Sequence, residues 1–495
     1  MTDEQASGST PGKPLSAGRR IGLLAGPLCL VPVLALPAPA ELSPEAWRLG
    51  GLTLWMVIWW LSEAVPLAAT ALLPVALMPV LGILPIASVS AHYGNPLIFL
   101  FLGGFLLAAA MERHGLHRRI ALFIVARAGQ SARSLISGFA LATAFLSMWI
   151  SNTAAAMMMV TVATSVVIFV ETHADRERAR AFGVALMLGI AWSASIGGVG
   201  TLIGTPPNAL LASILAESHG IEIGFFQWML FGVPVVAVML PIMLLLLTRW
   251  MFDLGGLDLS AARALIATEA RALGPLGRAE AIVAAVFVLT ALAWVLRAPL
   301  GLPISDSGIA ITAALVLFAC PLGRGRGFVL DWSVAPALPW GILLLFGGGL
   351  ALAAGFESSG LAAAVGGLAR GLAALPLWLL VLIVAAGIVF LSELTSNTAA
   401  AATFLPVTAA VATGLGLAVP WLMLPVAVGA SMAFTLPTAT PPNAIAFSWK
   451  GLRLADMARA GARMDLIAVV VIFAAVMLLA PVVFDLAPPQ RGGTE

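Results

Sequence analysis

Charge is scarce in this 495-residue chain: Asp, Glu, Lys and Arg make up 10% of it, while 61% is hydrophobic. A soluble domain of that size cannot hide so much apolar surface and still present a wettable exterior. Tyrosine occurs once, cysteine twice and histidine five times. Cys29 and Cys320 sit far apart in apolar runs, which excludes a metal-ligand spacing or a disulfide framework and leaves them as small core residues. His92, His114, His117, His173 and His219 fall near expected helix ends or loops and take no chemistry. With no Ser/His, Asp/Asp or metal constellation at membrane depth, an intramembrane enzyme is excluded. Period-two alternation is missing too, which excludes an outer-membrane barrel. The net charge of +2 is too small to argue for nucleic acid.

What the chain has instead is apolar runs of about twenty residues, long enough to cross a ~30 Å hydrocarbon core as helices. The fold class is an all-α polytopic membrane protein. Runs are expected near 21–40, 47–64, 66–86 and 96–112, then a long stretch at 134–170, then 181–217 and 225–250. The second half follows with 279–296, 303–322, 338–356, a long stretch at 374–413, then 418–447 and 464–485. Residues 21–40 read as a retained first helix rather than a signal peptide, and residue 41 ends outside on either reading. Threading from a cytoplasmic N-terminus places 21 of the 25 Lys and Arg inside, with Arg48, Arg297, Arg370 and Arg491 outside. That bias is what the positive-inside rule demands of a bacterial inner-membrane protein. It gives eleven transmembrane helices, N-terminus cytoplasmic and C-terminus external. The two long stretches are either pairs of spans or hairpins that enter and leave on one side; both give the same parity.

The halves repeat. An offset of 245 carries Gly103-Gly104 onto Gly348-Gly349, Glu112 onto Glu357, and Ser147 onto Ser392. It also carries Ser151-Asn152-Thr153-Ala154 onto Ser396-Asn397-Thr398-Ala399. An offset of 235 carries Thr205-Pro206-Pro207-Asn208 onto Thr440-Pro441-Pro442-Asn443. Polar blocks in matching order are not a by-product of two apolar halves. The expected division is a cytoplasmic tail (1–20), a first helix outside the repeat (21–46), repeat 1 (47–252), a cytoplasmic linker (253–278), repeat 2 (279–485) and an external tail (486–495). Five crossings per copy turn the second upside down, the inverted-topology arrangement of secondary transporters.

The polar blocks are where chemistry is expected. Irregular backbone at membrane depth survives only inside protein or beside a wet cavity. Each Pro-Pro breaks its span and favours the first turn of a new helix. Ser-Asn before an alanine run is a strong helix start as well. Helix N-termini attract an anion, while carbonyl, hydroxyl and amide oxygens suit a hard alkali cation such as sodium. Zinc and copper prefer His or Cys. The Gly103-Gly104 and Gly347-Gly348-Gly349 runs read as close helix packing. Glu393, the one acid within a motif-bearing stretch, matches Met148 in the other copy. That asymmetry favours a structural, hydrogen-bonded role over direct ion coupling.

Paired Ser-Asn-Thr and Thr-Pro-Pro-Asn blocks in this order resemble the signatures of the divalent anion/sodium symporter family, from about residue 47 to 485. The resemblance implies re-entrant hairpins at 134–170 and 374–413, broken helices at 181–217 and 418–447, and a homodimer. It also implies a transport domain that slides as an elevator against scaffold helices. It implies at least two sodium sites, one with Ser147, Ser151, Asn152 and Gly204, the other with Ser392, Thr395, Asn397 and Ala439. The dicarboxylate anion would meet Asn152, Thr153 and Thr205 on one side, and Ser396, Asn397, Thr398, Thr440 and Pro441 on the other. Thr161 stands where the second copy has Pro406, a departure that bears on hairpin shape. Sodium-coupled uptake of succinate, malate or fumarate is the function this implies. The alternatives are a sodium-independent exchanger, a proton-coupled carrier, or a tricarboxylate or sulfate transporter of the same fold.

Overall fold

The computed structural model describes residues 17–486, apart from 256, 258, 324 and 326. The expected N-terminal tail up to residue 16 with Lys13, the cytoplasmic Arg324 and Arg326, and the external tail from 487 with Arg491 lie outside the described residues. Among the described residues the chain is helical, and the one isolated β-bridge joins Pro321 and Phe328. Sixteen principal helices position the site. The first half holds α1 (Ala17–Ala35), α2 (Pro44–Ser62), α3 (Pro96–Arg113), α4 (Ala132–Ser147), α5 (Asn152–His173), α6 (Arg176–Gly198), α7 (Pro206–His219) and α8 (Phe225–Leu245). The second holds α9 (Arg278–Leu296), α10 (Asp306–Ala319), α11 (Trp340–Ser359), α12 (Leu377–Ser392), α13 (Asn397–Gly414), α14 (Pro420–Gly429), α15 (Pro441–Phe447) and α16 (Leu454–Leu478).

Local chemistry sets their ends. Ser43, Asn95, Ser131, Ser151, Asp175 and Ser305 each accept an amide of the following first turn, which satisfies N–H groups that have no intrahelical partner. Charge does not stop a helix, and two expected boundaries move for that reason. Helix α6 begins at Arg176 rather than 181, capped by Asp175, and α16 begins at Leu454 rather than 464, taking in Arg459 and Arg463.

Among the described residues, eight helices are long and apolar enough to cross a bilayer, or nine if Leu361–Leu372 and α12, bent by 114° at their junction, count as one span. Four of the eleven expected crossings miss that standard. Helix α2 carries Glu45, Arg48 and four tryptophans, which dilute its hydropathy. The 66–86 run is cut into Leu67–Thr70 and Leu73–Leu77, with Pro66, Pro74, Pro79 and Pro85 along it. Helix α10 keeps 14 residues, about 21 Å, and the 418–447 run divides into α14 and α15. The two cysteines are half-buried rather than core residues. Cys29 lies in α1, whose Ile21, Leu24 and Leu28 face outward, and its thiol bonds only to the Ala25 carbonyl.

Element bounds recur at the sequence offsets. Helices α4 and α12 have 16 residues each and end at Ser147 and Ser392; α5 and α13 start at Asn152 and Asn397, α7 and α15 at Pro206 and Pro441. The copies also interlock through their glycines. A Cβ on Gly103 would stand 2.6 Å from the Ala310 backbone of α10, and one on Gly348 would stand 2.4 Å from the Ala71 carbonyl. Each copy thus packs a glycine of its own helix against the other copy at a distance no larger residue permits.

Ion pairs fall into two sets when laid on the expected threading. Arg19–Glu63, Arg113–Asp331, Arg118–Glu269, Arg119–Glu280 and Arg180–Asp456 join segments assigned to one side of the membrane. His92–Glu217 and Arg297–Asp306 join segments assigned to the other. No described pair crosses between the two sets.

Candidate functional site

Four helix starts border one cavity of about 1050 Å³. They are the N-termini of α5, α7, α13 and α15, two from each copy. All eight residues expected to meet the anion line it: Asn152, Thr153, Thr205, Ser396, Asn397, Thr398, Thr440 and Pro441. Ser151, Gly204, Thr395 and Ala439 line it as well, whereas Ser147 and Ser392 lie fully buried behind the motif turns. The Ser-Asn-Thr tips and the Pro-Pro loops carry no formal charge. Charged groups on the cavity wall are Glu63, Glu112 and Arg113. No group of three or more His, Cys, Asp and Glu side chains suited to a metal occurs among the described residues.

The first copy gathers oxygens. Asn152 Oδ1 lies 2.5 Å from Ser147 Oγ, whose hydroxyl is also 2.6 Å from the Ala194 carbonyl. The same Oδ1 faces the Ala194 and Gly204 carbonyls at 3.2 Å each. With the amide turned over, as these neighbours require, Asn152 Nδ2 donates to all three oxygens; a cation bound here would need the amide oxygen turned inward in place of that nitrogen. Ser151 is not part of this cluster. Its hydroxyl caps α5 by accepting from Ala154 N at 3.2 Å. Gly204 is indispensable for a steric reason, since a Cβ there would stand 2.4 Å from the Gly198 carbonyl.

The second copy repeats the frame more loosely. Ser392 Oγ donates to Val389 O at 2.9 Å and approaches Gly429 O at 3.5 Å. Gly429 is the offset-235 counterpart of Ala194, so both serines address the same carbonyl position. Asn397 Oδ1 is buried with no hydrogen-bond partner, an unmet acceptor of the kind a cation would satisfy. Thr395 is turned back onto its own helix at Leu391 O, 3.4 Å. Ala439 contributes backbone to the cavity wall.

Sequence reasoning missed two residues of this frame, and it expected main-chain carbonyls without naming those of Ala194 and Gly429. Asn208 donates to Gly198 O at 3.1 Å, to Val199 O at 3.4 Å and to Thr201 O at 2.8 Å. Its counterpart Asn443 donates to Ala433 O at 3.1 Å and Leu436 O at 3.0 Å. Each asparagine therefore clamps the unwound segment that precedes its Pro-Pro, and its identity inside both repeated blocks was the available signal. The Ala194 and Gly429 carbonyls carried no signal, because a main-chain ligand leaves no mark on residue type. Thr153 and Thr398 hydroxyls have no protein partner among the described residues and remain free to meet a ligand. Thr205 Oγ1 lies 3.3 Å from Ser431 Oγ, tying the two copies together beside the cavity.

A family model described as the sodium:sulfate symporter transmembrane region matches residues 19–486. Among curated proteins, the sodium-dependent dicarboxylate transporter SdcS of Staphylococcus aureus strain RF122 is 39% identical over 486 residues, 96% of this chain and 94% of that protein. The protein of the same name from Staphylococcus saprophyticus is 39% identical over 490 residues, 97% of this chain and 94% of its own length. Among solved structures, the YdaH transporter of Alcanivorax borkumensis superposes with a TM-score of 0.56 at 15% identity. That match covers 88% of this chain and all of the other, a likeness of fold alone.

Proposed function

The chain belongs to the sodium:sulfate symporter transmembrane family and is a multi-pass transporter rather than an enzyme; from that premise we propose that it couples sodium to the uptake of small dicarboxylates such as succinate, malate and fumarate. The observation that carries this reading is the cavity bordered by four helix starts, with the Ser147 hydroxyl, the Asn152 amide and the Ala194 and Gly204 carbonyls gathered at its edge. Sodium bound there and beside Ser392, Asn397 and Gly429 places positive charge next to donors that otherwise offer only partial charges. A dianion leaving water needs that compensation, because no Lys or Arg belongs to the motif blocks. The anion then meets the Thr153, Thr205, Ser396, Thr398 and Thr440 hydroxyls, the Asn152 and Asn397 amides and the backbone at Pro441. Cation binding precedes anion binding in this scheme.

Helix dipoles contribute unequally. Helix α15 is seven residues long, against 22 for α5 and 18 for α13, so its terminus supplies the weaker field. We read the eleven crossings, the inverted repeats, the inner-membrane setting with the N-terminus inside and the C-terminus outside, and the hairpins of α4–α5 and α12–α13 as one scheme. The cavity wall reaches Glu63, Arg113 and Ser333, which that threading puts on the cytoplasmic side, and no residue of the opposite face lines it. This conformation is then inward-open. An elevator movement of the motif-bearing helices in a homodimer would expose the same site outside.

The test is uptake of labelled succinate into proteoliposomes with and without an inward sodium gradient, alongside a competition panel of malate, fumarate, citrate and sulfate. Sodium-driven accumulation is expected. Equal uptake without sodium, driven by internal dicarboxylate, would replace the scheme with exchange.

A further inference from the structure

A second cavity, of about 450 Å³, lies away from the motif turns and is lined by Glu171, Arg176, Arg180, Lys450, Gly451 and Arg453. Three elements far apart in sequence build it: the end of α5, the start of α6 and the loop that joins α15 to α16. They meet because α15 packs against both α5 and α6. The loop is held in place by one indole. A Cβ on Gly451 would stand 2.2 Å from the Trp449 ring and one on Gly183 would stand 2.4 Å from it. Trp449 is thus wedged between the turn and α6, and two glycines make room for it. That wedge sets Lys450 and Arg453 beside Arg176 and Arg180.

Four cations converge on this concavity against one lining acid. Arg180 pairs with Asp456 of α16. Arg176, Lys450 and Arg453 have no ion-pair partner among the described residues. Like charges gathered by a fixed loop repel one another unless an anion joins them. Arginines in particular match the geometry of phosphate oxygens with paired N–H groups. Exposed apolar side chains flank the cavity on both helices, Ile168 one turn before Glu171 and Leu454 next to Arg453. A basic recess above an apolar, outward-facing helix surface is how a membrane protein receives an anionic headgroup while its chains lie along the helices.

We propose that this recess is a binding site for a phosphate-bearing anion, which bridges the two copies of the repeat at the foot of α15. The chemistry is shared by an anionic phospholipid headgroup and by free phosphate. The proposal does not depend on which substrate the larger cavity carries, and its readout is not transport.

Delipidated protein is titrated with phosphatidylglycerol in mixed micelles, with phosphatidylcholine, and with inorganic phosphate at constant ionic strength, following the thermal midpoint. Native mass spectrometry counts the retained lipid. The wild type is expected to gain stability with phosphatidylglycerol and none with phosphatidylcholine. Each cation removed should weaken the apparent affinity about fivefold. Arg176→Gln/Lys450→Gln/Arg453→Gln should therefore lose about a hundredfold. Arg178→Gln, on the same helix but outside the recess, should match the wild type. A shift with inorganic phosphate that the triple variant loses would assign the site to a soluble anion and equally support it. If the triple variant does not fold, Lys450→Gln alone carries the test at about fivefold. An equal phosphatidylglycerol shift in wild type and variants, or no shift with either anion, would overturn the proposal.

Discussion

Gly198→Ala is the sharpest probe of the first cation cluster. A Cβ at this position would stand 2.7 Å from Asn152 Oδ1, 3.1 Å from its Nδ2 and 3.1 Å from the Gly204 carbonyl. The backbone carbonyl is held by the loop that Asn208 clamps, so the Asn152 amide, at the end of a short side chain, is the group that yields. It yields by swinging away from Ser147 and Ala194, which opens the cluster rather than the fold. Forcing one methyl into a packed interior costs about 1–3 kcal/mol, which is roughly five- to 150-fold in an equilibrium. The expectation is a rise of that size in the sodium concentration that half-saturates uptake. The offset-235 position already holds a methyl, Ala433, so the second site should be untouched and some sodium dependence should remain. Uptake into proteoliposomes across a sodium titration measures the effect, with the thermal midpoint as the control for folding. A folded Gly198→Ala protein with wild-type half-saturation would refute the placement of a cation among these oxygens.

Four further outcomes follow from the same geometry. Asn152→Ala and Asn397→Ala each remove an amide oxygen from a proposed cation site and should weaken sodium dependence in the titration above; wild-type sodium affinity in both would sink the assignment. Thr153→Ala and Thr398→Ala each remove one neutral donor, about 0.5–1.5 kcal/mol, so equilibrium binding of succinate should fall at most roughly tenfold and similarly on the two sides. Asn208→Ala frees three carbonyls and Asn443→Ala two, so both should lower the thermal midpoint, the first more than the second, and unchanged midpoints would show that the clamps hold nothing. In a background without Cys29 and Cys320, Arg178→Cys should react with an impermeant thiol reagent only from the cytoplasm and Glu222→Cys only from outside; the reverse pattern would invert the proposed topology.

The helical class, the duplication and the position of the cavity were legible because each is written in residue type. Apolar run length marks helices, and polar blocks repeated at fixed offsets mark the turns where α5, α7, α13 and α15 begin. Helix ends were legible only where a cap or a proline wrote them. The Pro206 and Pro441 starts belong to that group, but the charged first turns of α6 and α16 do not, since arginine is a good helix former. The proposed ligand set was half legible. Side-chain oxygens of Ser147, Asn152 and Asn397 could be named, whereas the carbonyls of Ala194 and Gly429 could not. The basic recess at Trp449 was illegible altogether, because it joins residues some 270 positions apart through a wedge that only packing reveals.

Glu393 shows why two copies of one frame need not bind alike. Its Oε1 accepts from Phe434 N at 2.5 Å and Thr435 N at 2.8 Å, and its Oε2 accepts from Leu436 N at 2.8 Å. Asp465 of α16 accepts from Phe434 N at 3.1 Å and from Thr435 Oγ1 at 2.5 Å. The corresponding stretch of the first copy, Val199–Thr201, has no carboxylate. Val199 N and Gly200 N bond within the last turn of α6, and Thr201 Oγ1 donates to the Met148 carbonyl. Helix α14 stops at Gly429 while α6 runs on to Gly198, so the second copy leaves amides at membrane depth that no helix turn serves. Buried amides without acceptors cost about 1–3 kcal/mol each, and the two acids meet that requirement where Met148 has nothing to meet. The carboxylate therefore works on the backbone that frames the second site, the hydrogen-bonded role that its lack of a counterpart favoured. It acts on any ion there through the shape of residues 434–436, and the first site takes its shape from helix and asparagine alone.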